Sequence, residues 1–360
     1  MDLTEIANFR ISNQLVGGTK FKTAKEIAAW MGAMQAQDYA MAKWAIGVRL
    51  PGSTGRLIET AIDSGEVLRT HLLRPTWHFV SAENIHWMLA LTAQKIKAAM
   101  NSRQKQLGLT GAILTKSNAI MEKALKGGKH LTREQLLAEL KQAKIAVDEN
   151  RASHLLARGE LDGILCSGAT QNGKQTYALL EERVLPQTKK LTREESLAKL
   201  AHCYFSSRGP ATIQDFAWWS GLSLTEARQG LEMTKADFIS ETINSQSYWF
   251  PNSLGMPKVD HERVFILPAY DEFIICYADR RAVVPYEEHT RLISDNGIFR
   301  PIIVVDGQVM GIWKRTIKKD QVLVEINLFK APDKTSRNLI EAAALDYGRF
   351  LEKKIDLNLQ

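Results

Sequence analysis

The sequence lacks the features that mark secreted, membrane-spanning and zinc-binding proteins. It has only three cysteines among 360 residues, far apart and without a Cys-x-x-Cys pair, so it predicts neither a disulfide framework nor a zinc knuckle. Its apolar runs fall short of the roughly 18 residues that a membrane span needs. The N-terminus carries Asp2 and Glu5 and has no apolar core of the kind found in signal peptides. We therefore expect a cytoplasmic protein in which Cys166, Cys203 and Cys276 are reduced thiols.

Common catalytic motifs are missing as well. The eight histidines include no His-Glu-x-x-His motif that would bind a metal. The pairs Gly17-Gly18 and Gly127-Gly128 lack the flanking residues of a phosphate-binding loop, and the sequence contains no Gly-x-Ser-x-Gly nucleophile motif. The sequence therefore predicts a protein without a metal or a cofactor.

The composition is that of a folded protein with a surplus of positive charge. Hydrophobic residues make up 45% of the chain and charged residues 24%, as in globular proteins. The length predicts two or three domains. The 47 basic side chains outnumber the 40 acidic ones, and the resulting surplus of +7 arises in the first half of the chain. Such a surplus favours a polyanionic partner, such as nucleic acid, without requiring one.

Capping boxes mark the start of three predicted helices. In this motif a Ser or Thr hydroxyl and a Glu or Gln side chain three residues later each accept a hydrogen bond from an orphan backbone amide. The boxes are Thr132–Gln135, Thr192–Glu195 and Ser223–Glu226. Each predicts a helix that begins directly after its first residue.

Residues 208–234 are predicted to form a helix–turn–helix. One helix begins at Thr212 and ends at Gly221, because glycine readily adopts the left-handed conformation found at helix ends. Helical spacing buries one side of the pair Trp218-Trp219, so these rings are expected to serve the core. The next helix begins at the third capping box, which leaves a short turn. Two β-rich runs follow and could form a wing, at residues 237–242 and 247–250.

Two earlier segments, residues 1–80 and 132–180, also place helices before a pair of strands. In the first segment the predicted helices and strands are residues 4–15, 23–32, 39–50, 54–64, 67–72 and 76–80. In the second segment they are residues 132–142, 151–158, 164–167 and 175–180. Together with the helix–turn–helix above, these segments predict three winged-helix units in series.

The C-terminal part is predicted to be rich in β-structure. Asp306-Gly307 is a strong hairpin turn between two of the strands, and a final helix covers about residues 335–353. The predicted strands are residues 264–268, 273–277, 302–305 and 309–313. The predicted fold class is α+β and mainly helical, with three tandem winged helix-turn-helix units and a β-rich C-terminal region. The predicted domains are residues 1–105, 106–188, 189–260 and 261–360.

Gln35 and Gln37 are the candidate catalytic residues. They lie between a helix predicted to end near Gly32 and one predicted to begin after Asp38. Residues two apart point to the same side of an extended segment, so both amides can converge on one point. Each amide carries donors and an acceptor, so the pair can hold a water or a sugar oxygen without adding charge. The alternative is that both side chains bind backbone carbonyls of their own loop.

Asp38 has two interpretations. It is well placed to cap the helix that follows it, because an aspartate at this position accepts a bond from an amide of the first turn. The other interpretation is a catalytic carboxylate. We expect the capping role.

The predicted hairpin at residues 67–80 gathers candidate DNA-binding residues. Arginine pairs with phosphates through its planar fork, and Trp or His rings can stack on a base. The candidates are Arg69, His71, Arg74, Thr76 and His78, beside Trp77. The alternative is an ordinary wing whose two faces lie in the core and in water.

Further cationic side chains are candidates for DNA contact outside this hairpin. They are Arg151, Arg158, Arg280, Arg300, Lys314 and Arg315. Lys314 and Arg315, together with Lys318 and Lys319, could instead form an ordinary solvated face.

Five blocks, taken in order, resemble one family along about residues 5–350. The blocks are MQAQD, RTHLLRPTWHFV, RGPATIQDFAWWSGL, LPAYDEFIICYADR and NGIFRPIIVVDG. They resemble the winged-helix superfamily of crosslink-unhooking, alkylpurine DNA glycosylases, which has AlkZ-like and YcaQ-like branches. The resemblance implies tandem winged-helix units with a β-rich C-terminal region. It also implies a Gln-x-Gln catalytic signature, carried here by Gln35 and Gln37, which is the pattern of the AlkZ-like branch.

The function that this resemblance implies is a monofunctional DNA glycosylase. Its substrates would be cationic N7- or N3-alkylated purines in double-stranded DNA, including interstrand crosslinks, and its water would be positioned by Gln35 and Gln37. We expect a monomer near the nucleoid, without a membrane partner. One alternative is a non-catalytic winged-helix regulator, which usually binds half-sites as a dimer. Another is a protein–protein scaffold, whose apparent DNA binding would not weaken with salt.

Overall fold

The computed structural model describes residues 1–186, 190–252, 263–294 and 296–359. The chain forms two compact units, one of residues Met1–Ile58 with Leu197–Gln360 and the other of residues Glu59–Ser196. The domain boundaries predicted near residues 188 and 260 lie outside the described residues. The four predicted domains therefore stay a prediction, as does the number of winged-helix units.

The described residues form fifteen α-helices. They are α1 (Leu3–Asn13), α2 (Ala24–Met31), α3 (Tyr39–Gly47), α4 (Gly55–Asp63), α5 (Ala82–Gln106), α6 (Gly111–Leu125), α7 (Arg133–Gln142), α8 (Arg151–Leu161), α9 (Leu180–Arg183), α10 (Arg193–Arg208), α11 (Ile213–Ser220), α12 (Leu224–Thr234), α13 (Glu272–Ile275), α14 (His289–Leu292) and α15 (Lys334–Leu351). None of these described helices is long and apolar enough to cross a membrane.

The described residues also form thirteen β-strands. They are β1 (Met34–Gln35), β2 (Val67–Leu72), β3 (Arg74–Ser81), β4 (Leu131–Thr132), β5 (Leu165–Ser167), β6 (Thr176–Leu179), β7 (Phe238–Ile243), β8 (Gln246–Pro251), β9 (Val264–Leu267), β10 (Ile302–Val305), β11 (Gln308–Ile317), β12 (Gln321–Leu328) and β13 (Lys354–Leu359).

The three capping boxes predicted from the sequence are confirmed. In each, the hydroxyl of the first residue accepts a hydrogen bond from the amide of the fourth, and the side chain of the fourth accepts one in return. Gly221 ends α11 in the left-handed conformation, with φ 70° and ψ 8°. The two predicted β-rich runs are also confirmed as strands, because β7 and β8 form an antiparallel hairpin. Helix starts and stops could be predicted because they depend on a few neighbouring residues.

The unit of residues Glu59–Ser196 contains two β-structures. Strands β2 and β3 form an antiparallel hairpin, with His71 opposite Trp77. A second antiparallel sheet has the order β4-β6-β5. Leu136 of α7 and Leu155 of α8 share a fully buried core with Leu165 of β5. The helices and the hairpin predicted within residues 132–180 are therefore confirmed.

The unit of residues Met1–Ile58 and Leu197–Gln360 contains a five-stranded sheet of order β13-β12-β11-β10-β9. Its neighbouring strands are antiparallel except for the parallel pair β12–β13. Helix α15 contributes Tyr347, whose ring centroid lies 5.1 Å from those of both Trp44 and Trp313. The predicted turn at Asp306-Gly307 is confirmed, with φ 46° and 83° between β10 and β11.

One predicted strand is wrong. Residues 273–277 were expected to be extended, but Glu272–Ile275 form the short helix α13. Asp271 begins this helix by accepting a hydrogen bond from the amide of Phe273 at 2.9 Å. The run from Phe273 to Tyr277 is buried on every side, so its apolar pattern carries no period that separates a strand from a helix.

Candidate functional site

The Gln-x-Gln segment, defined here as residues 34–37, connects α2 to α3. Gly32 ends α2 with φ 67°, and the chain is then extended at Met34 and Gln35. Met34 and Ala36 are buried, whereas Gln35 is half-buried and Gln37 is exposed. Successive side chains of an extended segment point to opposite sides, so this alternation assigns the two glutamines to the side away from the core.

Asp38 begins α3. Its Oδ1 accepts a hydrogen bond from the backbone amide of Met41 at 3.0 Å, which confirms the capping role predicted from the sequence. The guanidinium of Arg315 lies 3.8 Å from the same oxygen. Asp38 therefore holds the start of α3 at the end of the Gln-x-Gln segment.

A buried ion pair lies behind the segment. The carboxylate of Glu272 accepts hydrogen bonds from Arg208 Nε at 3.0 Å and Nη2 at 2.6 Å. Its other oxygen, Oε1, accepts one from the backbone amide of Gln35 at 2.9 Å. Arg208 and Glu272 are 0% and 1% exposed. Burial of a charge costs folding free energy unless the charge is paired and hydrogen-bonded. Here the guanidinium of Arg208 and the carboxylate of Glu272 neutralise each other.

Sequence reasoning did not single out this ion pair. Its members are 64 residues apart, and Gln35 lies 237 residues before Glu272. One signal was present: Asp271-Glu272 stands within an apolar run, and buried carboxylates require cationic or amide partners. The electrostatics agree with the pairing. Burial opposes the charge of Arg208, but the attraction and hydrogen bonding of Glu272, together with contributions from Cys276 and Cys203, raise the pKa of Arg208 above its ordinary value.

The basic hairpin, defined here as Val67–Ser81, contains both buried and partly exposed polar side chains. The guanidinium of Arg69 lies 4.4 Å from the ring centroid of Trp77 and donates to Gln175 Oε1 at 2.8 Å. His71 is buried and pairs through Nδ1 with the carboxylate of Glu160. The imidazole of His71 and the ring of Trp77 are directly opposite each other in the ladder. Arg69, His71 and Trp77 therefore share one face of the hairpin.

The other predicted hairpin residues differ in exposure. His78 is fully buried, and its Nδ1 lies 2.9 Å from the carbonyl oxygen of Thr76. Arg74 and Thr76 are half-buried. Of the predicted DNA contacts here, Arg69 and Arg74 are thus the cations nearest to solvent. Contact with DNA by these residues stays a prediction.

A cleft of about 360 Å³ lies along the face of the hairpin that carries Arg69 and Trp77. It belongs entirely to the unit Glu59–Ser196, and Glu160 is one of its lining residues. Burial raises the pKa of Tyr177, which also lines the cleft. The positively charged side chains of Arg133 and Lys174 also line the cleft.

Two predicted DNA contacts on α8 are held by bonds within the protein. Arg151 donates through Nε to the carbonyl oxygen of Ala146 at 3.0 Å and also bonds the carbonyl of Leu107. Arg158 donates to Asp162 at 2.6 Å. Both side chains therefore have a structural role, and their contact with DNA stays a prediction.

The last four predicted contacts belong to the unit with the five-stranded sheet. Arg280 donates to the carbonyl oxygen of Ile274 at 3.0 Å. Arg315 bonds the hydroxyl of Tyr347. Arg300 and Lys314 are exposed and line a cleft of about 410 Å³. Lys314 also lies 3.0 Å from a carboxylate oxygen of Glu325, which is compatible with the alternative of a solvated face. Contact of these four residues with DNA stays a prediction.

The described residues contain no group of three or more His, Cys, Asp or Glu side chains that could hold a metal ion. Cys166, Cys203 and Cys276 are free thiols, of which Cys166 and Cys276 are buried and Cys203 is half-buried. Burial raises the pKa of the Cys166 thiol to about 12.

Three comparisons connect the chain to known proteins. The family model for DNA glycosylase AlkZ-like proteins matches residues 28–350. The chain is 21% identical over 325 residues to the interstrand DNA cross-link repair glycosylase of Streptomyces sahachiroi, which covers 86% of this chain and 87% of that protein. It is also similar to the solved structure of Streptomyces sahachiroi DNA glycosylase AlkZ, with a TM-score of 0.82, 17% identity and 100% of both chains covered. At this identity, the structural likeness shows the fold alone.

Proposed function

We propose a specific reaction for this chain, which belongs to the AlkZ-like DNA glycosylase family. The reaction is hydrolysis of the N-glycosidic bond of purines that carry an alkyl group at N7 or N3 in double-stranded DNA. Gln35 and Gln37 position the attacking water. The observation that supports this most directly is the alternating burial of residues 34–37, in which Met34 and Ala36 are buried whereas Gln35 is half-buried and Gln37 is exposed.

The chemistry suits a neutral pair of amides. A purine alkylated at N7 or N3 is cationic, so it keeps the electron pair of the broken glycosidic bond and leaves as a neutral base without a strong general acid. The water oxygen bonds to the anomeric carbon, and its proton passes to solvent. What remains for the protein is to hold the water near the oxocarbenium-like sugar, which is a task of orientation. A glutamine amide can donate to one partner and accept from another.

Binding to DNA is assigned to cationic side chains outside the Gln-x-Gln segment. Arg69, Arg74, Arg300 and Lys314 have partly or fully exposed side chains that can neutralise phosphates. The other predicted contacts remain part of the proposed interface. We propose that the protein acts as a monomer, with the winged-helix units in series gripping the duplex.

The relative from Streptomyces sahachiroi is named for repair of interstrand cross-links. We propose interstrand crosslinks joined through purine N7 as a second substrate class. A crosslinked base cannot enter a closed pocket as a flipped base does, so this activity requires an open cleft. Release of one strand from a crosslinked duplex tests it.

The decisive experiment measures base release from a duplex that contains N7-methylguanine, with alkaline cleavage of the resulting abasic sites. Gln35→Ala combined with Gln37→Ala is expected to abolish release while duplex affinity stays nearly unchanged. Gln94→Ala, which removes an exposed amide on α5, serves as the matched control. Equal release by the double variant and the wild type would end the catalytic assignment. Tight, sequence-specific binding without any release by the wild type would instead favour a regulator.

A further inference from the structure

We propose that Glu272 and Arg208 are positioning residues for Gln35. They are not expected to touch the substrate. They act through the backbone of the Gln-x-Gln segment, whose orientation decides where the Gln35 side chain points. This inference rests on the proposed function, and the experiments below separate the failure of one from the failure of the other.

Glu272 forms the direct link to the segment. One carboxylate oxygen, Oε1, accepts from the Gln35 amide at 2.9 Å. The other oxygen accepts from both Arg208 nitrogens and from Trp219 Nε1 at 3.0 Å. The carboxylate is thus shared between the segment on one side and fixed donors on the other. With Glu272 only 1% exposed, it is not open to water as a general base.

Arg208 holds the turn that leads from α2 into the segment. Its Nη1 donates to the carbonyl oxygen of Met31 and its Nη2 to that of Ala33, each at 2.7 Å. These carbonyls flank Gly32, where the chain leaves α2 in a conformation with φ 67°. One guanidinium therefore fixes both sides of the turn that sets the direction of the following residues.

Three fixed points define the orientation of the segment. They are the two carbonyls bound by Arg208 and the Gln35 amide bound by Glu272. Side chains alternate along extended backbone, so rotation of this segment would turn Gln35 toward the core and bring Met34 outward. An error of about 1 Å in a catalytic group can cost about 100-fold in rate. We therefore expect loss of this ion pair to lower the rate of base release strongly, although the pair itself is buried behind the segment.

Trp219 completes the arrangement. It is fully buried, as predicted for one ring of the pair Trp218-Trp219, whereas Trp218 is 48% exposed. The guanidinium of Arg208 lies 4.4 Å from the Trp219 ring centroid. The indole therefore contacts both members of the ion pair and limits how far either can move.

The chain contains a matched control next to this ion pair. Asp271 binds Arg49 through both carboxylate oxygens, at 2.8 and 2.9 Å. Both residues are as buried as the first pair. The other hydrogen bonds of Arg49 go to the carbonyl oxygen of Ala45 and to Gln14 Oε1. Asp271 also caps α13 by accepting from the amide of Phe273, and asparagine keeps a side-chain oxygen for that bond. Asp271→Asn is therefore expected to weaken the pair with Arg49 and destabilise the same unit without releasing the Gln-x-Gln segment.

The experiment compares Glu272→Gln with Asp271→Asn. An amide has a single acceptor oxygen, so Gln at 272 must present its NH₂ group either to the Gln35 amide or to Arg208 and Trp219. One set of contacts is lost in either orientation. Both variants should lower the melting temperature by similar amounts. Under single turnover with saturating N7-methylguanine duplex, E272Q should release base about 100-fold more slowly, and D271N close to the wild-type rate. Duplex affinity should be unchanged in both.

A second readout follows the Gln35 amide itself. The protein is labelled with ¹⁵N-glutamine, and the backbone amide signal of Gln35 is identified by its loss in Gln35→Asn. This signal should shift in E272Q and stay in place in D271N. If E272Q is too unstable to purify, Trp219→Phe removes a single donor to the carboxylate and should produce a smaller change in the same direction.

Each result decides one question. Equal rates for E272Q and D271N, in a wild type that releases base, would overturn the positioning role and leave the proposed function intact. Absence of release by the wild type would overturn the proposed function. The positioning role would then be judged by the Gln35 amide signal, and an unshifted signal in E272Q would overturn it.

Discussion

The Gln-x-Gln segment and the basic hairpin use charge in opposite ways. In the segment, neutral amides lie toward solvent and the full charges of Arg208 and Glu272 are buried behind them. In the hairpin, Arg69 is partly exposed and stacks on Trp77, while a buried carboxylate, Glu160, contacts His71. The role of a charge therefore depends on whether it is buried or exposed. Buried pairs hold geometry, whereas exposed cations supply affinity for an anion.

The largest effect is expected on stability. Arg208→Ala would leave Glu272 as a buried, unpaired charge, which costs about 3–5 kcal/mol of unfolding free energy. Arg69→Ala removes a partly exposed cation and should cost less than about 1 kcal/mol. Urea unfolding of both variants measures the difference. Equal losses would show that the two regions do not differ in how they use charge.

The next largest effect is expected on the salt dependence of DNA binding. Combining Arg69→Ala with Arg74→Ala should reduce the slope of log affinity against log salt by about 2, because each cation neutralises one phosphate. Gln35→Ala with Gln37→Ala should leave the slope unchanged. Titration of duplex DNA at several salt concentrations provides the measurement. An unchanged slope in the arginine variant would remove the hairpin from the DNA interface.

The two buried thiols can report on the two regions separately. Cys276 bonds the carbonyl oxygen of Glu272, and Cys166 lies in β5 of the other unit. Burial raises the pKa of both thiols, that of Cys166 to about 12, so alkylation at pH 8 should require local opening. In E272Q, the Cys276 peptide should be labelled faster by iodoacetamide and the Cys166 peptide at the wild-type rate. Faster labelling of both would mean that the substitution loosens the whole protein.

The smallest effect concerns acid stability. Burial opposes the charge of Asp162, but hydrogen bonds from Arg158 and Lys97 lower the pKa of Asp162 below its ordinary value. A depressed folded pKa gives stability that is present above about pH 4 and lost as the pH falls through the folded pKa. Asp162→Asn should therefore be less stable than the wild type by less than about 1 kcal/mol at pH 7, and the difference should disappear near pH 2, where the wild-type carboxyl is also uncharged. The exposed Asp148→Asn is the control in urea unfolding at both pH values, and a loss that is independent of pH would contradict the ion-pair explanation.

The parts of the fold that could be predicted depend on neighbours in sequence. Thr132, Thr192 and Ser223 begin helices because their partners lie three residues away. Asp306-Gly307 makes a hairpin because both residues accept positive φ. The helix α13 was not predicted because a short apolar run that is buried on every side has the same sequence pattern in a strand and in a helix.

The parallel strand pair β12–β13 was missed for a different reason. These strands are Gln321–Leu328 and Lys354–Leu359, and α15 lies between them in sequence. β13 pairs with β12 along one edge, and its side chains are exposed or half-buried. The alternation of Ile355, Leu357 and Leu359 with polar residues is itself typical of a strand. Its parallel pairing, however, is made by backbone hydrogen bonds to a strand on the far side of α15, and such a partner cannot be read from the residues of β13 alone.

The helix ends, the hairpin turn and the two amides two residues apart in a connection between helices all follow from the order of the amino acids. These depend on interactions within a few residues, which a single chain segment contains completely. Only the tertiary structure decided that Arg208 and Glu272 meet behind those amides, because the partners come from elements far apart in sequence. A buried charge destabilises the fold unless its counter-charge lies beside it. The packing of the whole unit is what places Arg208 beside Glu272.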